Sequence, residues 1–203
     1  MNNGVGFCGS HRVGKTTLAE ELAKAKYYPF IRTSTTKVAE DFGVDVSKPM
    51  DWNTRMAFQW KVLEAYNTQF ATAFETREPW VTDRTPLDLI MYTMTDARAD
   101  GEDVDAVELE RYVSACYDTM NAYFGIVIHV PPGIPLVPAP GKAALNPVYI
   151  ELLNMVVFSS MYSHRLTEDI VKVHLDSDLL DLKKRVSFCF NELDKHKRWA
   201  QAA

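Results

Sequence analysis

Residues 9–16, near the start of the chain, have the pattern G-x-x-x-x-G-K-T. This pattern is typical of a phosphate-binding loop, whose glycines let successive backbone amides point at phosphate oxygens. We expect Lys15 to reach the β- and γ-phosphates of a nucleoside triphosphate and the Thr16 hydroxyl to bind Mg²⁺. The candidate nucleotide-binding residues are Gly9, Ser10, His11, Arg12, Val13, Gly14, Lys15, Thr16 and Thr17.

The residues on either side of this loop indicate the strand and the helix that phosphate binding needs. Residues 5–8 are a short apolar run typical of a buried strand, and residues 17–24 have apolar side chains at helical spacing. A helix that begins at the loop adds the positive end of its dipole to the site. A chance match in a glycine-rich turn is the alternative, and these flanking segments argue against it.

Asp83 and Arg84 form a second candidate group, at the end of the strand predicted over residues 79–83. Asp83 suits a Mg²⁺ ligand, direct or through water, because this ion prefers oxygen ligands and keeps several waters. A helix N-cap is its alternative role. Arg84 would hold a phosphate of the donor or the acceptor, or else form a surface ion pair.

The segment after the second predicted strand contains Thr33, Thr35 and Lys37, which are hydroxyl and cationic groups suited to an anion. A hydroxyl acceptor profits from a carboxylate that takes its proton, whereas an acceptor phosphate is already anionic. The cluster therefore favours a phosphorylated acceptor. Two alternatives stay open, because Asp83 could act as a base and the cluster could be a Ser/Thr-rich helix cap.

Arg55 and Gln59 are four residues apart in a helix predicted over residues 51–77, so they share one face of it. A glutamine can form paired hydrogen bonds with a base, and an arginine can bind a phosphate with both arms of its guanidinium. A solvated polar face is the alternative.

The whole chain alternates predicted strands with helices, which indicates an α/β fold with a parallel sheet covered on both faces. Ligands of such sheets bind beyond the carboxyl ends of the strands. Four candidate segments follow strand ends, so we expect them at one edge of the sheet: the phosphate-binding loop, residues 33–37, Asp83–Arg84 and the Pro-rich residues 131–147. The predicted strands cover residues 5–8, 28–32, 79–83, 125–130 and 170–175, and the last two long helices cover residues 148–167 and 179–197.

The phosphate-binding loop, the Asp83–Arg84 pair and the Pro- and Gly-rich residues 131–147 together resemble the P-loop nucleoside and nucleoside-monophosphate kinases. The similarity is greatest to small kinases related to thymidylate kinase and to the ribosylnicotinamide kinase domain. It implies a P-loop NTPase fold of five parallel strands in the order 2-3-1-4-5, a single domain over residues 1–203, and a lid at residues 131–147. It also implies ATP and Mg²⁺ as cofactors and acceptor recognition by the helix that carries Arg55 and Gln59.

The activity that this resemblance implies is transfer of the γ-phosphoryl group of ATP to a nucleoside monophosphate, with deoxynucleotides among the candidates. A free nucleoside or a ribosylnicotinamide-like hydroxyl compound is the first alternative acceptor. A nucleotide-dependent regulatory switch is an alternative from another class of protein.

The predicted lid departs from the family pattern, in which arginines clamp the phosphate in transit. Lys142 is the one cation in residues 131–147. Either Lys142 does this work or His164 and Arg165 on the following helix do. The difference matters because lysine lacks the planar, bidentate contact of arginine.

The net charge of −5 over 203 residues gives no overall attraction for nucleic acid or an anionic membrane. No apolar run is long enough to cross a bilayer, and Met1 leads into the first strand without a signal peptide, so we expect a cytoplasmic protein. Its three widely spaced cysteines suggest reduced core thiols rather than a metal site. The expected partner is a small-molecule nucleotide, and a homodimer stays an open alternative.

Overall fold

The computed structural model of the protein describes residues 2–46, 48, 50–99, 104–135 and 146–196, with the backbone alone at residues 98 and 99. The strands are β1 (Gly4–Cys8), β2 (Phe30–Ile31), β3 (Trp80–Thr82), β4 (Phe124–His129) and β5 (Val171–His174). The helices are α1 (Lys15–Lys26), α2 (Thr35–Phe42), α3 (Trp52–Glu75), α4 (Pro86–Ala99), α5 (Ala106–Tyr123), α6 (Pro147–Met161) and α7 (Leu182–Lys195).

The five strands form one sheet in the order β2-β3-β1-β4-β5, and every neighbouring pair is parallel. The predicted α/β class and the predicted strand order are therefore confirmed. Because β1 lies at the centre, the loop that follows it is flanked by the carboxyl ends of β3 and β4. This topology brings the segments after β1, β3 and β4 to one edge of the sheet.

Two hydrophobic clusters cover the faces of the sheet. The larger one packs α3, α4, α5 and α6 against one face, and the smaller one packs α1 and α7 against the other. In the larger cluster the ring of Phe70 lies 5.2 Å from that of Trp80 and 5.1 Å from that of Phe124, centroid to centroid. These aromatic contacts fix the long helix α3 over β3 and β4, which also sets the position of its amino-terminal half.

The carboxyl end of α6 differs from the prediction. The helix predicted over residues 148–167 ends at Met161. The backbone N–H groups of Tyr162 and Ser163 bond three residues back, at 3.1 and 3.2 Å, and the Ser163 hydroxyl accepts the N–H of Arg165 at 3.3 Å. A serine that bonds its own neighbouring backbone competes with helix continuation, which explains the earlier end.

The three cysteines, Cys8, Cys116 and Cys189, are each 0% exposed, and none forms a disulfide. The prediction of core thiols is therefore confirmed. Among the described residues no group of three or more His, Cys, Asp or Glu side chains could hold a metal ion. None of the helices in the described part of the chain combines the length and apolar character needed to cross a membrane.

His129 and His174 form a pair at the carboxyl ends of β4 and β5, where they are register partners. Their Nδ1 atoms are 2.9 Å apart, so one ring donates a proton that the other accepts. His129 is 1% exposed. Its burial, followed by the proximity of His174, lowers the pKa of His129 to about 4, so this ring is neutral at neutral pH.

Candidate active site

The phosphate-binding loop joins β1 to α1, and two of its glycines have backbone geometry that suits glycine alone. Gly9 has a φ of 150°, and a Cβ atom there would lie 2.4 Å from the carbonyl oxygen of Val130. Gly14 has a φ of 84° and is the N-cap of α1. The loop therefore turns tightly against the end of β4 before the helix begins.

Lys15, the lysine of this loop, is buried and folds back onto the loop. Its Nζ donates to the carbonyl oxygens of Gly9 at 2.6 Å and Ser10 at 2.8 Å. Burial lowers the pKa of the Lys15 ammonium, and the neighbouring Asp88 opposes that change. The ammonium group therefore lies within the loop, where two backbone carbonyl oxygens hold it.

Thr16 and Asp83, the two predicted metal ligands, are in direct contact across β1 and β3. The Thr16 hydroxyl donates to Oδ2 of Asp83 at 2.5 Å. The other oxygen, Oδ1 of Asp83, is buried and has no hydrogen-bond partner among the described residues. A hydroxyl and a carboxylate with a free oxygen are the hard donors that Mg²⁺ binds, so these two residues fit that ion.

Asp88 is a site residue that the sequence reasoning missed. It is 1% exposed; its Oδ2 accepts the backbone N–H of Thr85 at 2.8 Å and the hydroxyl of Thr85 at 2.9 Å. Its Oδ1 lies 3.5 Å from Lys15 Nζ and accepts the N–H of Gly9 at 3.3 Å. Burial raises the pKa of Asp88, and Lys15 opposes that rise. The T-x-x-D spacing of a capping box at Thr85 was the signal that could have revealed it.

Positive charge converges on the loop. Burial, and then the cations Lys15, Arg12 and Arg84 in that order, lower the pKa of His11, which is therefore neutral at neutral pH. Three cations close enough to one imidazole to affect its protonation indicate an environment that favours an anion.

Arg84 is half-buried and directly follows Asp83 at the end of β3. Burial lowers its pKa, but the surrounding Tyr66, Tyr92, Asp88 and Asp83 raise it more, so the guanidinium stays charged. Arg84 is hydrogen-bonded to the hydroxyl of Tyr92, whose pKa burial raises to about 12. The predicted phosphate-binding arginine therefore lies in the electrostatic field of two phenols and two carboxylates, and Tyr92 is its hydrogen-bond partner.

The candidates after β2 divide into two groups. Thr33 is buried, and the Thr35 hydroxyl lies 3.3 Å from the Tyr66 hydroxyl. Both threonines affect the pKa of Tyr66, as Arg84 does, so they lie on the side of the site where Arg84 is found. Ser34 caps α2 by accepting the N–H of Lys37 at 3.1 Å, and the Lys37 side chain is exposed. The helix-cap alternative thus holds for Ser34, while Thr33 and Thr35 remain candidates for the site.

Arg55 and Gln59 are not on a solvated face. Arg55 Nη1 lies 2.6 Å from Oδ2 of Asp96 on α4, and Gln59, which is 6% exposed, accepts the Tyr112 hydroxyl at 3.2 Å. Both Asp96 and Arg55 influence the pKa of Tyr149 on α6.

Tyr149 connects this pair to the loop, because its ring centroid is 6.0 Å from that of His11. The structure thereby brings the amino-terminal half of α3, through α6, to the side of the phosphate-binding loop.

Arg165, a predicted catalytic cation, does not join this assembly. Arg165 contacts Glu110 at 2.6 Å, and its carbonyl oxygen accepts the Asn121 side chain. The backbone carbonyl oxygen of Asn121 in turn accepts a hydrogen bond from the side chain of Asn2, which precedes β1. Arg165 therefore lies at the amino end of the sheet, opposite the loop. His164 is exposed beside it. Lys142 and most of the predicted lid, residues 136–145, lie outside the described residues.

The comparisons with known proteins agree with this architecture. A family model described as an AAA domain matches residues 5–131. Deoxyadenosine kinase from M. mycoides with bound dCTP is similar with a TM-score of 0.64 and 18% identity, over 95% of this chain and 99% of that chain. The same enzyme with bound dATP gives a TM-score of 0.63 and 20% identity, over 95% of this chain and 100% of that chain.

The YorR protein from Bacillus subtilis, in complex with phosphorylated GDP, is similar with a TM-score of 0.54 and 16% identity, over 95% of this chain and 98% of that chain. No curated protein sequence matches the chain.

The parallel sheet in the order 2-3-1-4-5 and the loop between β1 and α1 define a P-loop nucleotide-binding fold. The chain belongs to the AAA domain family, whose model matches more than half of it. Its fold is that of the small P-loop kinases, as predicted.

Proposed function

We propose that the protein is an ATP- and Mg²⁺-dependent phosphotransferase that moves the γ-phosphoryl group of ATP to a nucleoside monophosphate. The observation that carries this proposal is the meeting of Lys15, the Thr16–Asp83 pair and Arg84 at one end of the sheet. Phosphoryl transfer depends on positioning and charge neutralisation rather than on covalent chemistry by the protein, and this set supplies both.

Each of these residues has a distinct task in the proposed reaction. The loop amides and Lys15 hold the β- and γ-phosphates, and Thr16 with Asp83 holds Mg²⁺, which would neutralise charge on the same phosphates. Arg84, hydrogen-bonded to Tyr92, holds a phosphate on the acceptor side. An arginine suits this place because its fork binds two phosphate oxygens at once.

Two observations support a monophosphate acceptor. The segment after β2 presents Thr33 and Thr35 beside Tyr66, and residues 32–37 include no carboxylate of their own that could take a hydroxyl proton. The pair of Arg55 and Asp96 lies on the same side of the loop as Tyr149, where an acceptor could meet polar groups of both signs. The similar deoxyadenosine kinase structures contain dCTP, dATP or the products dCMP and dCDP, which supports a deoxyribose compound as the acceptor and does not itself favour the monophosphate.

A free deoxynucleoside is the second candidate acceptor. The unpartnered Oδ1 of Asp83 favours it, because a buried carboxylate oxygen near the donor phosphate could accept the proton of an attacking hydroxyl. The similar M. mycoides structures are of a deoxyadenosine kinase, which is consistent with this alternative.

A coupled assay of ADP release across the common ribo- and deoxynucleoside monophosphates and the matching nucleosides tests the proposal. We expect at least one monophosphate to stimulate turnover and to yield the diphosphate. Lys15→Met, prepared in parallel, controls for contaminating kinases and should lose at least about 100-fold in rate, because electrostatic stabilisation of transferring phosphates is a dominant contribution. Stimulation by nucleosides alone would favour the second candidate, and stimulation by no acceptor would refute both.

A further inference from the structure

The buried guanidinium of Arg185, in the first turn of α7, packs against the phosphate-binding loop. The side chain is 2% exposed, and its Nη1 donates to the carbonyl oxygen of Val13 at 3.2 Å. The same nitrogen lies 3.3 Å from the place that a Cβ atom on Gly14 would occupy. Helix α7 therefore places a cation against the loop between β1 and α1, where it contacts Val13 and lies close to Gly14.

The charge of Arg185 is not balanced by any carboxylate in the described residues. None of the ion pairs found there includes Arg185, and its Nε and Nη2 are buried without a hydrogen-bond partner.

Such an arrangement carries an energetic cost. Burying an ion without an oppositely charged partner is costly even after the protein relaxes. Burial lowers the pKa of Arg185, although an arginine remains protonated. This cost is present in the nucleotide-free protein. An anion that binds close to the guanidinium reduces it, and the low local dielectric strengthens the attraction between the two charges.

We propose that Arg185 is a positioning residue for the donor nucleotide, whose triphosphate on the inner side of the loop neutralises the guanidinium held behind Val13. The proposal rests on the nucleotide binding of the proposed function. Loop amides point at the phosphates, so the Val13 carbonyl and its guanidinium partner lie on the outer side and act through the loop. Arg185 thereby fixes the loop at Val13. Its positive potential attracts the triphosphate more strongly than less charged nucleotides, because the triphosphate carries the most negative charge.

The test is direct binding of MgATP, measured by calorimetry without any acceptor, to the wild type and to Arg185→Met, Arg185→Lys and Lys184→Met. Lys184 is the exposed neighbour on α7 and provides the matched loss of one positive charge. We expect Arg185→Met to weaken MgATP binding by at least about tenfold, Arg185→Lys by about threefold or less, and Lys184→Met by less than twofold.

A second readout separates this role from a merely structural one. Without nucleotide, Arg185→Met should melt at or above the temperature of the wild type, because it removes an unbalanced buried charge and keeps most of the side-chain volume. Its stabilisation by saturating MgATP should be smaller than that of the wild type.

Wild-type affinity for MgATP in Arg185→Met would overturn the proposal. So would equal losses in Arg185→Met and Arg185→Lys, which would make the shape of the contact and not its charge responsible. If the wild type bound MgATP but transferred phosphate to no acceptor, the proposed function would fail while this inference stood. If the wild type did not bind MgATP, both would fail.

Discussion

Asp88 connects two parts of the site that the chain keeps far apart in sequence. One oxygen caps α4 at Thr85, and the other faces Gly9 and Lys15 of the phosphate-binding loop. Because α4 also carries Tyr92, which is hydrogen-bonded to Arg84, and Asp96, which pairs with Arg55, this buried carboxylate connects the helix that contacts both arginines to the phosphate-binding loop. Its effect on catalysis would be exerted through Lys15, which makes it a positioning residue.

Asp88→Asn should lower the free energy of unfolding by about 3 kcal/mol, because it leaves the buried Lys15 ammonium without its carboxylate partner. The cap at Thr85 can persist, since an asparagine oxygen still accepts a hydrogen bond. Urea unfolding monitored by circular dichroism measures the change. Asp118→Asn, on the exposed face of α5, is the matched control and should stay within about 0.5 kcal/mol of the wild type. Equal stability of the two variants would contradict the role of Asp88.

The loop between β1 and α1 is the element whose geometry tolerates least change. We expect Gly9→Ala to distort it, because the new Cβ would lie 2.4 Å from the carbonyl oxygen of Val130. MgATP binding should weaken by at least about tenfold, a loss of about 1.4 kcal/mol of binding free energy. Titration calorimetry measures this affinity.

Gly43→Ala is the control for backbone strain alone. Gly43 also has a positive φ, 81°, but a Cβ there meets nothing within 4 Å. We expect it to lose about 1 kcal/mol of stability and to bind MgATP like the wild type. If Gly9→Ala bound MgATP equally well, the close approach to Val130 would not matter to the site.

The elements were largely predictable from sequence, because strands and helices of this fold have distinct apolar patterns. The run at residues 125–130 and the spacing in α3 led to β4 and to a long helix, and the G-x-x-x-x-G-K-T pattern located the loop. The end of α6 was not predictable from apolar spacing, since the Ser163 turn decides it locally.

The candidate site was predictable where residues follow strand ends and less so where helices pack. Thr16 and Asp83 meet because β1 and β3 are neighbours in the sheet. Arg165 was predicted as a substitute for the lid arginine on the helix after the lid, but α6 leads away from the loop, so that Arg165 lies at the opposite end of the sheet. Asp88 and Arg185 were missed because their importance depends on contacts with the loop across the fold, which no local spacing reveals.

At the scale of the whole molecule, stability should depend on pH through the His129–His174 pair. The pKa of His129 is about 4 in the folded protein and about 6.5 in an unfolded chain. The unfolded state therefore binds more protons, so the free energy of unfolding falls as the pH drops from about 6.5 to about 4. The loss is at most about 3 kcal/mol, because each tenfold difference in proton affinity is worth about 1.4 kcal/mol.

Denaturant unfolding between pH 7 and pH 4 checks this dependence. His129→Phe removes the titrating group but keeps an aromatic ring beside Phe158, so its stability should decline less over the same range. His164→Phe, at an exposed position, should decline as steeply as the wild type. Parallel curves for the wild type and His129→Phe would show that this imidazole does not control the acid response.

The three buried cysteines can report local unfolding of the protein. Cys8 lies in β1 directly before the loop, Cys116 in α5 and Cys189 in α7, on three separate elements, and each is fully shielded from solvent. A thiol reagent can reach them only through transient unfolding, so labelling rates measure how often each region opens. A bound nucleotide should slow modification of Cys8 and Cys189, and mass spectrometry of the labelled peptides would then map its protection without any engineered probe.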